Sequence, residues 1–131
     1  MASNRPLSPH LSIWKWRVHM ATSIAHRVTG NALAFGGVVL FTWWLAAAAS
    51  GKDAYTSFAA IASGPIGWIV WVGLSWVFFQ HLCSGLRHLV MDSGRGFALA
   101  ASKLSATWVF IGAIILTIVF WSVFLLGSGI R

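Results

Sequence analysis

Residues 65–92 read PIGWIVWVGLSWVFFQHLCSGLRHLVMD. Most of this stretch belongs to an uncharged run from Ala54 to Leu86, and two more such runs flank it, Val28 to Gly51 and Leu104 to Ile130. Each exceeds the roughly 20 apolar residues a helix needs to cross a hydrocarbon core. The middle run is too long for one span, and Gly64-Pro65 divides it; proline suits the first turn of a helix. The spacing predicts helices over about 22–49, 65–91 and 104–126, an all-α membrane protein with three transmembrane helices. Composition agrees, since 8% of the residues are charged against about 25% in ordinary globular chains.

The 131 residues read as a single membrane domain. In residues 1–20, Arg5-Pro6 and Ser8-Pro9 favour extended or turn conformations. Ile13, Trp14, Trp16 and Val18 then interleave with Lys15, Arg17 and His19, a pattern suited to a cytoplasmic or interfacial segment at headgroup level. Thr22 or Ser23 is the expected start of the first helix. Tyr55 to Ser63 reads as a short connector and Asp92 to Gly96 as a loop. The third helix carries no chemistry in this reading and serves packing and lipid contact. Gly36, Gly37, Gly73, Ser75, Ser84, Gly85, Gly112 and Ala113 recur along the spans, as residues that let helices approach closely.

A net charge of +7 would suggest nucleic acid in a soluble protein; here its distribution is topological. Three helices place the N-terminus and the second loop on one side, with Arg5, Lys15, Arg17, Arg27, Arg87, Arg95 and Lys103. The other side holds only Lys52 and Arg131. The positive-inside bias then puts the N-terminus in the cytoplasm of a bacterium, with the inner membrane as location, or in a mitochondrial matrix. The same cations offer a docking surface for anionic lipid or a peripheral partner. The lone Cys83 gives no disulfide framework. The first apolar segment starts too late and runs too long for a cleavable signal peptide.

An imidazole inside an apolar span marks a functional site by default. His81 is such a group, and His88 follows it seven residues on, on the same helical stripe and roughly 10 Å further along. Gly85 lies between them and leaves that stripe bare enough for a flat ligand. His81 is either an axial ligand to haem iron or a histidine hydrogen-bonded to a neighbouring helix. With no second mid-span histidine, a six-coordinate haem needs its other ligand from another polypeptide. The antiparallel first and second spans bring His26 and Arg27 level with His88. These three either hold haem propionates or snorkel to headgroups. Arg87 points about 120° away from the His81 stripe and is assigned to headgroup or partner contact. Ser23 and Arg27, with Ile24 and Trp16, could line a partly apolar quinone pocket; the plainer reading of Ser23 is a helix cap. Asp92 could pair with Arg95 or Arg87.

Two segments resemble signatures of the cytochrome b large membrane-anchor subunit of succinate dehydrogenase, respiratory complex II. The first is Arg5-Pro6-Leu7 with Leu11, Val18, Ser23, His26-Arg27, Thr29 and Gly30. The second is His81, Gly85-Leu86-Arg87-His88-Leu89, Met91-Asp92 and Gly94. Ser8-Pro9-His10 is most similar to the mitochondrial and alphaproteobacterial branch. The resemblance implies half of a six-helix heterodimeric anchor for a flavoprotein and an iron–sulfur subunit that oxidise succinate. It implies haem b shared with a small anchor subunit that supplies the second axial histidine, with His81 as this chain's ligand. Residues matching His26, Arg27 and His88 approach the propionates, and those matching Ser23, Arg27, Ile24 and Trp16 form part of a ubiquinone-reducing site. The chain itself has no flavin fingerprint and no cysteine cluster for iron–sulfur centres. A fumarate reductase anchor is the near alternative. A haem-free transport or assembly protein is the distant one, disfavoured by the lack of an intramembrane acid.

Overall fold

The computed structural model describes residues 15–129. α1 (Val18–Asn31) passes through a π-helical turn (Ala32–Gly37) into α2 (Val38–Ala49), so that Val18–Ala49 is one continuous span. A short helix, α3 (Lys52–Ala62), leads to α4 (Pro65–Asp92), and a loop leads to α5 (Leu99–Gly127). No strand occurs among the described residues. Even α4, with 28 residues, is about 42 Å long at 1.5 Å per residue, more than a hydrocarbon core of about 30 Å. The chain is a multi-pass, all-α membrane protein.

Three boundaries differ from the sequence expectation, each for a local reason. The first helix starts at Val18 with Arg17 as its N-cap, so neither Thr22 nor Ser23 begins it. Thr22 instead turns fully inward and bonds the carbonyls of Val18 and Ala106, at 2.9 and 3.4 Å. The connector after Ser50 is helical: Gly51, at φ 100°, makes a bend that L side chains resist, and α3 starts beyond it with Asp53 in its first turn. α5 begins at Leu99, because Ser102 and Lys103 interrupt the apolar run without interrupting the helix.

The corner between α3 and α4 is built on the Ala62 carbonyl. A Cβ at Gly67 would run into it, and the Trp71 indole donates to it at 3.1 Å. Glycine is required here by close approach, not by dihedral angle. By contrast Gly36, Gly37 and Gly73 face open space among the described residues, so the close-approach role expected of them is not seen within this chain. Ala106 and Ala113 do carry that role, fully buried on α5 where it packs against its most extensive neighbour, α4.

Burial is inverted relative to a soluble protein. Thr22, Thr29, Gln80, Ser84, Arg87 and Thr117 are buried, while Phe35, Ile69 and Leu126 are among many large apolar side chains facing outward. Lipid solvates the outside, and the polar groups meet one another within the bundle. α1 and α5 both pack on α4. The start of α1, the end of α4 and the start of α5 therefore form one end of the molecule, which carries Lys15, Arg17, Arg27, Arg87, Arg95 and Lys103.

Candidate functional site

Three imidazoles meet where α1 crosses α4. His26 stacks on His81 with ring centroids 4.0 Å apart and planes 9° apart. It also tilts against His88 at 4.9 Å and 59°. The seven-residue step on α4 sets His81 and His88 on one stripe, and antiparallel packing brings His26 between them. The rings do not enclose a common point: among the described residues no group of three His, Cys, Asp or Glu is arranged to hold a metal ion.

His81 is half-buried and anchored through one nitrogen. Its Nδ1 lies 3.1 Å from the backbone carbonyl of His26 and 3.3 Å from the Thr29 hydroxyl. Gly30 gives the ring its place, since a Cβ there would stand 2.9 Å from Cε1 of His81. That separation is too short for any side chain without displacing the imidazole. Thr29 is itself buried and tied to the Ala25 carbonyl at 2.7 Å.

The other expected site residues lie around this cluster. Gly85 faces His26, whose Cε1 would be 3.9 Å from an added Cβ; the clearing beside His81 is edged by that ring. Ser23, Ile24 and Arg27 share the flank of α1 next to His26 by helical register, and Trp16 lies just ahead of the helix. Ile24, Arg27 and Trp16 are exposed. Ser23 sits inside α1, which removes the helix-cap reading, and its hydroxyl makes no hydrogen bond among the described residues. The segments containing Arg5, Ser8, Pro9, His10, Ile13 and Trp14 fall outside the described residues.

A profile of the family described as succinate dehydrogenase/fumarate reductase transmembrane subunit matches residues 1–120. The chain belongs to this family. It is 37% identical over 121 residues to a protein of Paracoccus denitrificans named succinate dehydrogenase cytochrome b556 subunit, covering 92% of both chains. A protein of the same name from Rickettsia felis is 40% identical over 119 residues, covering 91% of this chain and 92% of its own. The mitochondrial succinate dehydrogenase cytochrome b560 subunit of Mus musculus is 37% identical over 116 residues, covering 87% of this chain and 68% of the mouse protein. The resemblance read from the two motifs thus extends along most of the chain.

Within this member of the family, Arg87 is placed differently from expectation. It is buried, not directed to headgroups: Nε donates to the Ser105 hydroxyl at 3.0 Å and Nη2 to the Ser102 hydroxyl at 3.0 Å. Arg87 therefore ties α4 to the first turns of α5, and α5 is more than lipid-facing filler. Asp92 closes α4 and pairs with neither Arg87 nor Arg95 among the described residues.

Four residues escaped the sequence reading. Thr29 and Gly30 stood in the first motif, but their contact with His81 depends on the crossing register of two helices. Gln80 and Ser84 are fully buried with side-chain polar atoms that have no protein partner. Their spacing from Arg87, seven and three residues, marks a second polar stripe on α4, facing α5. That stripe was the available signal.

Proposed function

We propose that this chain is the cytochrome b anchor of a succinate dehydrogenase. In this reading it binds haem b jointly with a small anchor subunit and contributes to a ubiquinone-reducing site. His81 would hold the haem iron from this chain and a histidine of the small subunit would hold it from the other, the two chains together forming a six-helix membrane unit. The carrying observation is the seating of His81: Nδ1 is engaged by α1 at 3.1 Å, and Nε2 makes no hydrogen bond among the described residues.

The surrounding groups fit a haem. Nδ1 of His26 is buried without a hydrogen-bond partner, as a donor awaiting a carboxylate would be, and His88 and Arg27 offer further donors at the same level. These three would hold the propionates through charge-assisted bonds. When bound, haem b supplies a one-electron reservoir. Ser23 and Arg27 then orient and polarise a quinone carbonyl, while Ile24 and Trp16 give its ring an apolar wall. The unengaged Ser23 hydroxyl supports that role.

The cationic end faces the cytoplasm of a bacterial inner membrane, by the positive-inside bias. There it docks the iron–sulfur and flavoprotein subunits, which carry the succinate chemistry. The family description also covers fumarate reductase, but the relatives from Paracoccus, Rickettsia and mouse are all named for succinate dehydrogenase. A reduced-minus-oxidised spectrum of the purified complex tests the proposal. A b-type absorbance is expected, and it should disappear in His81→Leu. A native complex without it would refute the haem assignment.

A further inference from the structure

We propose that the His26 carbonyl and the Thr29 hydroxyl form a tautomer clamp on His81, with Thr29 as a positioning residue that tunes the iron ligand. The inference rests on the haem reading above and deepens it.

A backbone carbonyl only accepts hydrogen bonds. The His26 oxygen, 3.1 Å from Nδ1 of His81, therefore requires the proton to sit on Nδ1. Thr29 makes the same demand. Its single hydroxyl proton is directed to the Ala25 carbonyl at 2.7 Å, the shorter of its two backbone contacts; the His26 carbonyl is 3.1 Å away. The Thr29 lone pairs are thus left to accept from Nδ1 of His81 at 3.3 Å. A neutral imidazole carries one N–H. With that proton held on Nδ1, the lone pair must be on Nε2, the nitrogen that ligates.

The ring cannot readily turn to exchange its nitrogens. One face is covered by His26 at 4.0 Å. The edge carrying Cε1 rests against Gly30, with Cε1 2.9 Å and Nδ1 3.4 Å from where a Cβ would stand. α1 thereby selects the nitrogen, the ring orientation and the hydrogen bond behind it, all within His26, Thr29 and Gly30. A hydrogen bond donated from the far nitrogen makes a metal-bound imidazole a more basic ligand. Stronger donation favours ferric over ferrous iron, so the clamp lowers the haem potential.

The test compares Thr29→Val, nearly isosteric but without the hydroxyl, with Thr29→Ser, which restores it. Both are made in the assembled complex. Readouts are haem content, midpoint potential and the pulsed-EPR coupling of the remote imidazole nitrogen in the ferric state. The expected result is a more positive potential and an altered remote-nitrogen coupling in Thr29→Val, with both close to wild type in Thr29→Ser. Loss of haem from Thr29→Val but not from Thr29→Ser also supports a hydroxyl-dependent clamp. A haem-loaded Thr29→Val with unchanged potential and coupling overturns it. Equal haem loss in both variants also overturns it, because packing and not the hydroxyl would then be responsible. A wild-type complex devoid of haem would refute the underlying haem reading instead, a separate and recognisable result.

Discussion

The two ends of the bundle are held together by different physics. At the cationic end, α1, α4 and α5 meet through directed polar contacts: His81 on α1, Thr22 on the Ala106 carbonyl, Arg87 on Ser102 and Ser105. At the opposite end, aromatic rings line an apolar cleft of about 900 Å³, with Trp44, Phe58, Trp68 and Trp121 among its walls. Its ring contacts are loose and varied in angle, such as Trp68 with Trp121 at 5.3 Å and 51°. Directed contacts fix atoms to fractions of an ångström, whereas ring packing tolerates exchange. A ligand that must be held by a particular nitrogen belongs at the first end.

Adding one methyl group at each end gives the largest expected contrast. Gly30→Ala puts a carbon 2.9 Å from Cε1 of His81, and the imidazole must shift from the position that its Nδ1 contacts fix. Haem content should fall at least about tenfold, the loss that a displacement costing more than about 1.4 kcal/mol produces. Gly37→Ala, on the wall of the far cleft with open space around it, should leave haem content unchanged. Equal effects at the two positions, read by pyridine haemochrome assay, would erase the contrast.

Arg27→Ala separates chemistry from packing at the near end. Arg27 is exposed and no hydrogen bond ties it to the bundle among the described residues. Its removal should leave assembly and thermal stability intact. Quinone-dependent turnover should nevertheless drop about 10- to 100-fold, as expected from losing a charge-assisted hydrogen bond of about 1.5–3 kcal/mol. Full turnover in a normally assembled variant would remove Arg27 from the quinone site.

Arg87→Met makes the reverse prediction. It keeps the long apolar stem but removes the donor from the Ser105 hydroxyl and leaves the Ser102 hydroxyl without a partner, both of which receive Arg87 bonds at 3.0 Å. A loss of about 1–2 kcal/mol is expected, seen as a lower Tm in detergent. Once assembled, haem spectrum and turnover should stay near wild type, because Arg87 faces α5 and not the histidine cluster. An altered haem spectrum at unchanged stability would place Arg87 at the ligand.

How much of this was legible beforehand follows the same division. Three charge-free runs were enough for the three spans, because the cost of exposing backbone to lipid leaves helices as the solution. Residue period placed His81 and His88 on one stripe, and antiparallel topology brought His26 to them. Boundaries failed where polar residues continue a helix: His19 and Ser23 lie inside α1, and Ser102 and Lys103 inside α5. The π-helical turn at Ala32–Gly37 left no sequence signal that was read. Contacts between helices, such as Gly30 against His81 or Arg87 against Ser105, depend on crossing register. Periodicity along one helix does not carry that information.

The smallest effect is expected at the far end, where directed contacts are few. The Trp121 indole donates to the Ser75 hydroxyl at 2.7 Å, and Ser75 passes its own proton to the Val72 carbonyl at 2.8 Å. Trp121→Phe removes the donor but keeps an aromatic ring among Trp68, Phe120 and Phe124. Interhelical hydrogen bonds in membranes contribute about 0.6 kcal/mol on average, and the Ser75 oxygen left behind is already engaged as a donor. The change should therefore cost well under about 1.5 kcal/mol, with a small Tm shift and no change in haem content or turnover. A loss as large as that of Arg87→Met would mean that the aromatic end is as exacting as the polar one, and that the two ends are held by the same kind of contact after all.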